Sequence, residues 1–117
     1  MTRILSVSYD VALLNSRQLL LESLGCRVIS ASDFEQTMQH CSLPGGSFDL
    51  LVLGHSIPQL EKNAIITAFR SHSSAPVIAL KKVGEEPTSA ADWEIEPEPA
   101  HLLQVISRVI SGHAASA

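Results

Sequence analysis

Apolar residues along the chain alternate between two spacings. Ile4-Leu5-Ser6-Val7-Ser8 has strand character, and leucines at 13, 14, 20, 21 and 24 then recur at the spacing of one helical face. Gly25 stands where a left-handed residue ends such a helix, and Arg27-Val28-Ile29-Ser30-Ala31 reads as a second strand. Asp33 opens a second helix. Its carboxylate can cap the first turn, and Gln36 three positions on completes a capping box. Leu43-Pro44-Gly45-Gly46-Ser47 breaks that helix, and Phe48 to Leu53 is an almost wholly apolar run, as a strand covered on both faces requires.

Beyond Pro58 a helical stripe of Leu60, Ala64, Ile65, Ala68 and Phe69 is expected to face the core, with Lys62, Asn63, Thr67 and Arg70 elsewhere. Pro76 bounds the next strand, Val77-Ile78-Ala79-Leu80, and the polar stretch from Gly84 to Asp92 has room for a short helix. Trp93-Glu94-Ile95 alternates as an edge strand does. Pro99 sits in the first turn of a last helix carrying Leu102, Leu103, Ile106, Val109 and Ile110, expected to end at Gly112. Strand and helix thus alternate five times. Right-handed crossovers make such a chain a five-stranded parallel sheet with helices on both faces, in one domain over 1–112 with a short flexible tail over 113–117. Ligands of this architecture bind outside the carboxyl ends of the strands, where the strand order reverses.

Composition narrows the function classes. With 45% apolar and 17% charged side chains over 117 residues the chain can bury a full core. Cys26 and Cys41 have no ligand spacing, which fits free thiols in a reducing compartment. Met1-Thr2-Arg3 leads straight into a strand without a signal-peptide pattern, so a cytoplasmic location is expected. Apolar runs such as Leu50–Leu53 are far short of the ~20 residues of a membrane span. A net charge of -4 and five aromatics argue against nucleic acid. His40, His72, His101 and His113 have no i, i+4 spacing, so no metal site is expected, and no GxGxxG or GxxxxGK[ST] follows any strand. The loop from Ser8 to Ala12 lacks the glycine- and hydroxyl-rich cradle of a flavin phosphate; no cofactor is expected.

The strand ends carry a resemblance. Ile4-Leu5-Ser6-Val7 followed by Ser8-Tyr9-Asp10, then Phe48-Asp49-Leu50-Leu51-Val52-Leu53-Gly54-His55-Ser56-Ile57-Pro58, Ala75-Pro76-Val77-Ile78-Ala79-Leu80, and Ala91-Asp92-Trp93-Glu94-Ile95-Glu96-Pro97 resemble, in order and spacing, the receiver domain of bacterial response regulators over essentially the whole chain. The resemblance implies a flavodoxin-like sheet of strand order 2-1-3-4-5. It also implies a site. Receivers hold Mg²⁺ with two acidic residues after the first strand and a phosphoryl-accepting aspartate ending the third, and a hydroxyl residue and a lysine contact the phosphoryl group. Those positions fall here on Ser8 and Tyr9, Gly54, Lys81 and Glu96, all changed. Asp10 alone remains as a carboxylate near the first strand end. Lys81 is expected to pair with Glu96 or Asp10 across the crevice.

Such a chain reads as a phosphorylation-independent, receiver-like interaction module of a two-component-type system, not an enzyme. Its expected partner is a protein: a histidine kinase, another receiver or an output protein, with a second copy of the chain as one form of that contact. The competing reading is a phosphoacceptor or small enzyme whose chemistry has moved to Asp10, His55 or Ser56. His55 and Ser56 are sequence neighbours without a visible orienting group, which favours loop residues over an acid–base pair. Trp93 falls where receivers carry a switching aromatic; packing or partner contact is the preferred role. The acidity is local: residues 85–98 carry -6 and the remainder +2. Glu85, Glu86, Asp92, Trp93, Glu94 and Glu98 therefore mark an expected partner face, suited to a basic surface.

Overall fold

The computed structural model describes residues 2–42, 48–81, 84, 91–96 and 99–115. Five strands, β1 (Arg3–Val7), β2 (Arg27–Ala31), β3 (Leu50–Leu53), β4 (Val77–Leu80) and β5 (Trp93–Ile95), form one sheet in the order β2-β1-β3-β4-β5. All four pairings are parallel. Among the described residues α1 (Val11–Glu22), α2 (Phe34–Ser42) and α3 (Gln59–Arg70) connect strands, and α4 (Pro99–Ala115) follows β5.

Alternation along the strands divides the interior into two layers. Leu5, Val7, Leu51, Leu53 and Val77 face α2 and α3, where Ile65, Ile66 and Phe69 meet them. Ile4, Leu50, Val52, Ile78 and Leu80 face α1 and α4, closed by Leu21, Leu102, Val105 and Ile106. Every residue of β3 and β4 is buried, which explains their unbroken apolar runs. Burying one such leucine or isoleucine contributes about 1.5–3 kcal/mol.

Local signals set the helix ends. Gly25 has φ +81°, the left-handed turn that closes α1. Asp33 Oδ1 accepts from Gln36 N–H at 2.7 Å, and Gln36 Oε1 reaches back to Ser32 N–H at 3.0 Å, one residue before the position a strict box would use. Asp10 caps α1 through Leu13 N–H at 3.2 Å. β3 begins at Leu50, two residues inside the apolar run, because Asp49 anchors its start: its backbone N–H donates to the Arg3 carbonyl and its side chain accepts from Arg3 N–H.

Three expectations are corrected. α4 continues through Gly112 to Ala115. In α3, Leu60 is 85% exposed and Lys62 only 3% exposed, because Lys62 shares a helical face with buried Ile65, Ile66 and Phe69 while Leu60 lies opposite; the lysine's aliphatic stem packs and its amine still finds a carbonyl. Of the leucines read as one helical face, Leu13 in α1 and Leu24 just beyond its end are exposed, while Arg17 is buried beside Leu14 and Leu21. The short helix expected over 84–92 falls largely outside the described residues.

Ile65→Ala should therefore cost about 2–5 kcal/mol in urea unfolding, whereas Leu60→Ala should change stability by no more than about 0.5 kcal/mol. Equal effects would contradict this placement. A second expectation concerns Cys41, whose thiol burial pushes up to about 11 from 9.0. The folded state keeps a proton that the unfolded chain releases earlier, so this contribution is complete below pH 9 and is lost as pH rises from there toward about 11. Urea midpoints measured across that window should fall, and Cys41→Ala should make the fall shallower.

Candidate functional site

The carboxyl ends of β1, β3 and β4 bring together Ser8, Tyr9, Asp10, Gly54, His55, Ser56 and the first turn of α3. Ser8 is buried. Its Oγ accepts from Asp10 N–H at 3.2 Å, lies 3.2 Å from the Asp10 carbonyl oxygen, and sits 3.4 Å from Ser56 Oγ. Ser56 Oγ also accepts from Tyr9 N–H at 3.2 Å. The β1–α1 and β3–α3 loops are thereby held together by hydroxyls.

Gly54 belongs to this contact for a steric reason. A Cβ built on it would stand 3.1 Å from Ser8 Cβ, 3.1 Å from the Val7 carbonyl oxygen and 3.2 Å from Ser8 Oγ. Its own N–H donates to that same Val7 carbonyl at 2.8 Å, so the carbonyl is fixed in the β1–β3 ladder. The serine side chain thus occupies the space a side chain at 54 would enter.

α3 supplies two further contacts. Tyr9 Oη donates to Glu61 Oε1 at 2.8 Å, and burial, followed by this bond and the Glu61 charge, raises the phenol's pKa. Lys62, which the sequence stripe assigned to the polar side, sends Nζ to the Leu80 carbonyl at 3.4 Å. Leu53 pairs with Ala79, which sets Leu80 level with Gly54. Lys81 N–H turns to Ile95 on β5, so by ladder alternation the Leu80 carbonyl turns toward β3. The Lys62 ammonium therefore stands at the mouth of the β3–β4 crevice. The sequence signal is spacing: Lys62 stands three, four and seven residues before Ile65, Ile66 and Phe69, on the same helical face.

The remaining expected site residues lie apart from this cluster. Lys81 is half-buried and Glu96 exposed, and Lys81 forms no ion pair with Asp10 or Glu96; its amide follows β5 while Asp10 is committed to capping α1. Asp92 instead anchors the start of β5. Its carboxylate accepts from Val77 N–H at 2.8 Å and from Arg70 at 3.0 Å. Trp93 is 41% exposed and Glu94 exposed, whereas Glu85, Glu86 and Glu98 lie outside the described residues. Among the described residues no three His, Cys, Asp or Glu side chains come together as a metal site, and no helix is long and apolar enough to cross a membrane.

No family model matches the sequence, and no curated protein matches it. Solved structures do. The chain superposes on a response regulator receiver domain protein, CheY-like, from Methanospirillum hungatei with TM-score 0.82 at 21% identity, covering 100% of this chain and 99% of that one. The N-terminal domain of a response regulator/sensory box/GGDEF three-domain protein from Carboxydothermus hydrogenoformans gives 0.81 at 17% identity, covering 98% of each chain. A response regulator protein from Thermotoga maritima, in complex with Mg²⁺ and BeF, gives 0.74 at 18% identity, covering 93% and 99%. The fold is that of CheY-like receivers, flavodoxin-like in strand order, as the resemblance implies.

Because Ser8 fills the space beside Gly54, Gly54→Ala should destabilise by about 1–3 kcal/mol. Combining it with Ser8→Gly should recover the part of that loss owed to the serine, though not the Val7 carbonyl contact, as a favourable coupling in a double-mutant cycle. Simple additivity in urea unfolding would contradict the contact.

Proposed function

We propose that this chain is a receiver-fold signalling module that acts by protein–protein contact and without phosphorylation. The observation that carries the reading is the way the crevice is occupied by the chain's own groups: Ser8 against Gly54, hydroxyls bridging the two loops, and the Lys62 ammonium at Leu80. Mg²⁺ takes hard oxygen ligands in near-octahedral array. The donors here do not fit it. Ser8 is buried and hydrogen-bonded, Gly54 has no side chain, Asp10 caps α1, and Glu61 is engaged by Tyr9. A phosphoryl acceptor must be a nucleophile beside such a metal, and Ser56 Oγ is already shared by Ser8 and Tyr9 N–H.

A module of this kind communicates through its surface. Asp92, Trp93 and Glu94 stand exposed along β5, within the segment that holds -6 of the chain's charge together with Glu85, Glu86 and Glu98. Local negative potential around an exposed tryptophan favours a protein partner with a basic surface, a histidine kinase, a receiver or an output protein, and acts first on the association rate. The cytoplasmic location inferred from sequence belongs to the same reading.

Incubation with Mg²⁺ and either acetyl phosphate or beryllofluoride should leave the mass unchanged and produce no saturable amide shifts at Ser8, Gly54 and Lys81. A saturable response at those positions would overturn the proposal. Partners captured from cells of the native source should remain bound in a chelator. For such a partner, Glu94→Lys with Glu98→Lys should slow association about tenfold at low salt and much less at high salt; an unchanged rate would retire the acidic face.

A further inference from the structure

The sheet ends on one side at β2, whose five residues pair, among the described residues, with β1 alone. That ladder uses alternate residues of the strand. Arg27 N–H donates to the Thr2 carbonyl, and the Ala31 carbonyl accepts from Ser8 N–H, so Arg27, Ile29 and Ala31 turn their backbone groups to β1 while Val28 and Ser30 turn theirs away from the sheet. Among the described residues those outward N–H and C=O groups take no hydrogen bond; the bond of Ser30 to Gln18 uses its hydroxyl.

Each of the two residues thus offers one donor and one acceptor in line along an extended chain, the chemistry that recognises another strand. Side chains leave the approach open. Val28 is buried with the α1 layer, Ile29 packs against the α2 and α3 layer, and Arg27 is the one charged residue of β2. The strand has no proline and no charge at its middle, and it is longer than β5 at the other edge, which has three residues.

We propose that this edge pairs antiparallel with β2 of a second copy of the chain, about a two-fold axis through Ile29. In that register the edge is complementary to itself: Val28 of each copy stands opposite Ser30 of the other, and their outward groups exchange hydrogen bonds. Charge favours the same direction. Arg27 then lies opposite Ala31 of the other copy, at the end of β2 where exposed Asp33 follows, whereas a parallel pairing in register would set Arg27 against Arg27. The contact joins two five-stranded sheets into one and stands independently of the signalling reading.

Sedimentation equilibrium of the full chain from about 10 μM to about 1 mM should show monomer passing to dimer, with amide exchange at Val28 and Ser30 slowing as the dimer fills. Ser30→Pro removes a donor that points outward from an edge strand, where proline is tolerated. Two symmetry-related bonds are lost with it, so the dissociation constant should rise about 30-fold. Ile29→Cys reports the register. Partners at a non-hydrogen-bonded position of an antiparallel pair stand about 4.5 Å apart at Cα, within disulfide reach, so mild oxidation should link the Ile29→Cys chain into a covalent dimer. The wild-type chain, with Cys26 and Cys41 buried, should stay unlinked. Ile29→Cys decides the matter if Ser30→Pro fails to fold. A chain that is monomeric throughout overturns the proposal, and so does a dimer that Ile29→Cys fails to link, the outcome expected of association through the acidic β5 face.

Discussion

A parallel sheet covered on both faces can satisfy polar side chains only at its rims, and this constraint governs the molecule. β3 and β4 are buried along their whole length, so their side chains must be apolar and their backbone groups must be spent in the ladder. What remains for chemistry is the carboxyl rim, where the ladder ends and loops leave. Ser8, Gly54, Ser56, Tyr9 and Lys62 meet there because the topology leaves them nowhere else to meet. Conversely, polar groups away from the rim stand out: Ser6 and Arg17 are placed where the constraint predicts apolar residues.

The rim is held by complementary local contacts. Absence of a side chain at 54 admits the serine at 8, and that serine in turn positions Asp10 and Ser56. α3 is tied at its first turn to the β1–α1 loop through Tyr9 and Glu61 and to β4 through Lys62. Each contact alone is modest, about 0.5–1.5 kcal/mol for a neutral hydrogen bond. They share the same few loops, so their effects will not add independently.

The Gly25 turn and the Asp33 cap were legible in the sequence because each rests on a residue type with one dominant physical role; the strand–helix alternation pointed to a sheet covered on both faces, and the strand order followed from the resemblance. Residue type, not period, misplaced two side chains of α3. Lys62 shares a helical face with Ile65, Ile66 and Phe69 but its charge set it among the polar positions, and Leu60, read as core, lies on the opposite face. The Lys81 pairing failed for a different reason: adjacency of strand ends says nothing about side-chain direction, and the Lys81 amide belongs to β5. Asp92 looked like surface charge because its role, accepting from Val77 N–H, depends on a pairing between elements far apart in sequence.

The brevity of β5 bears on how anything else can attach. It is an edge strand of three residues with Glu94 exposed, followed by exposed Glu96. An open edge invites another chain to add a strand, and short length and outward charge are the means by which proteins discourage it. Recognition along this rim is thereby biased away from backbone pairing and toward side-chain contact, so the same three residues that complete the sheet also protect it from growing into an aggregate.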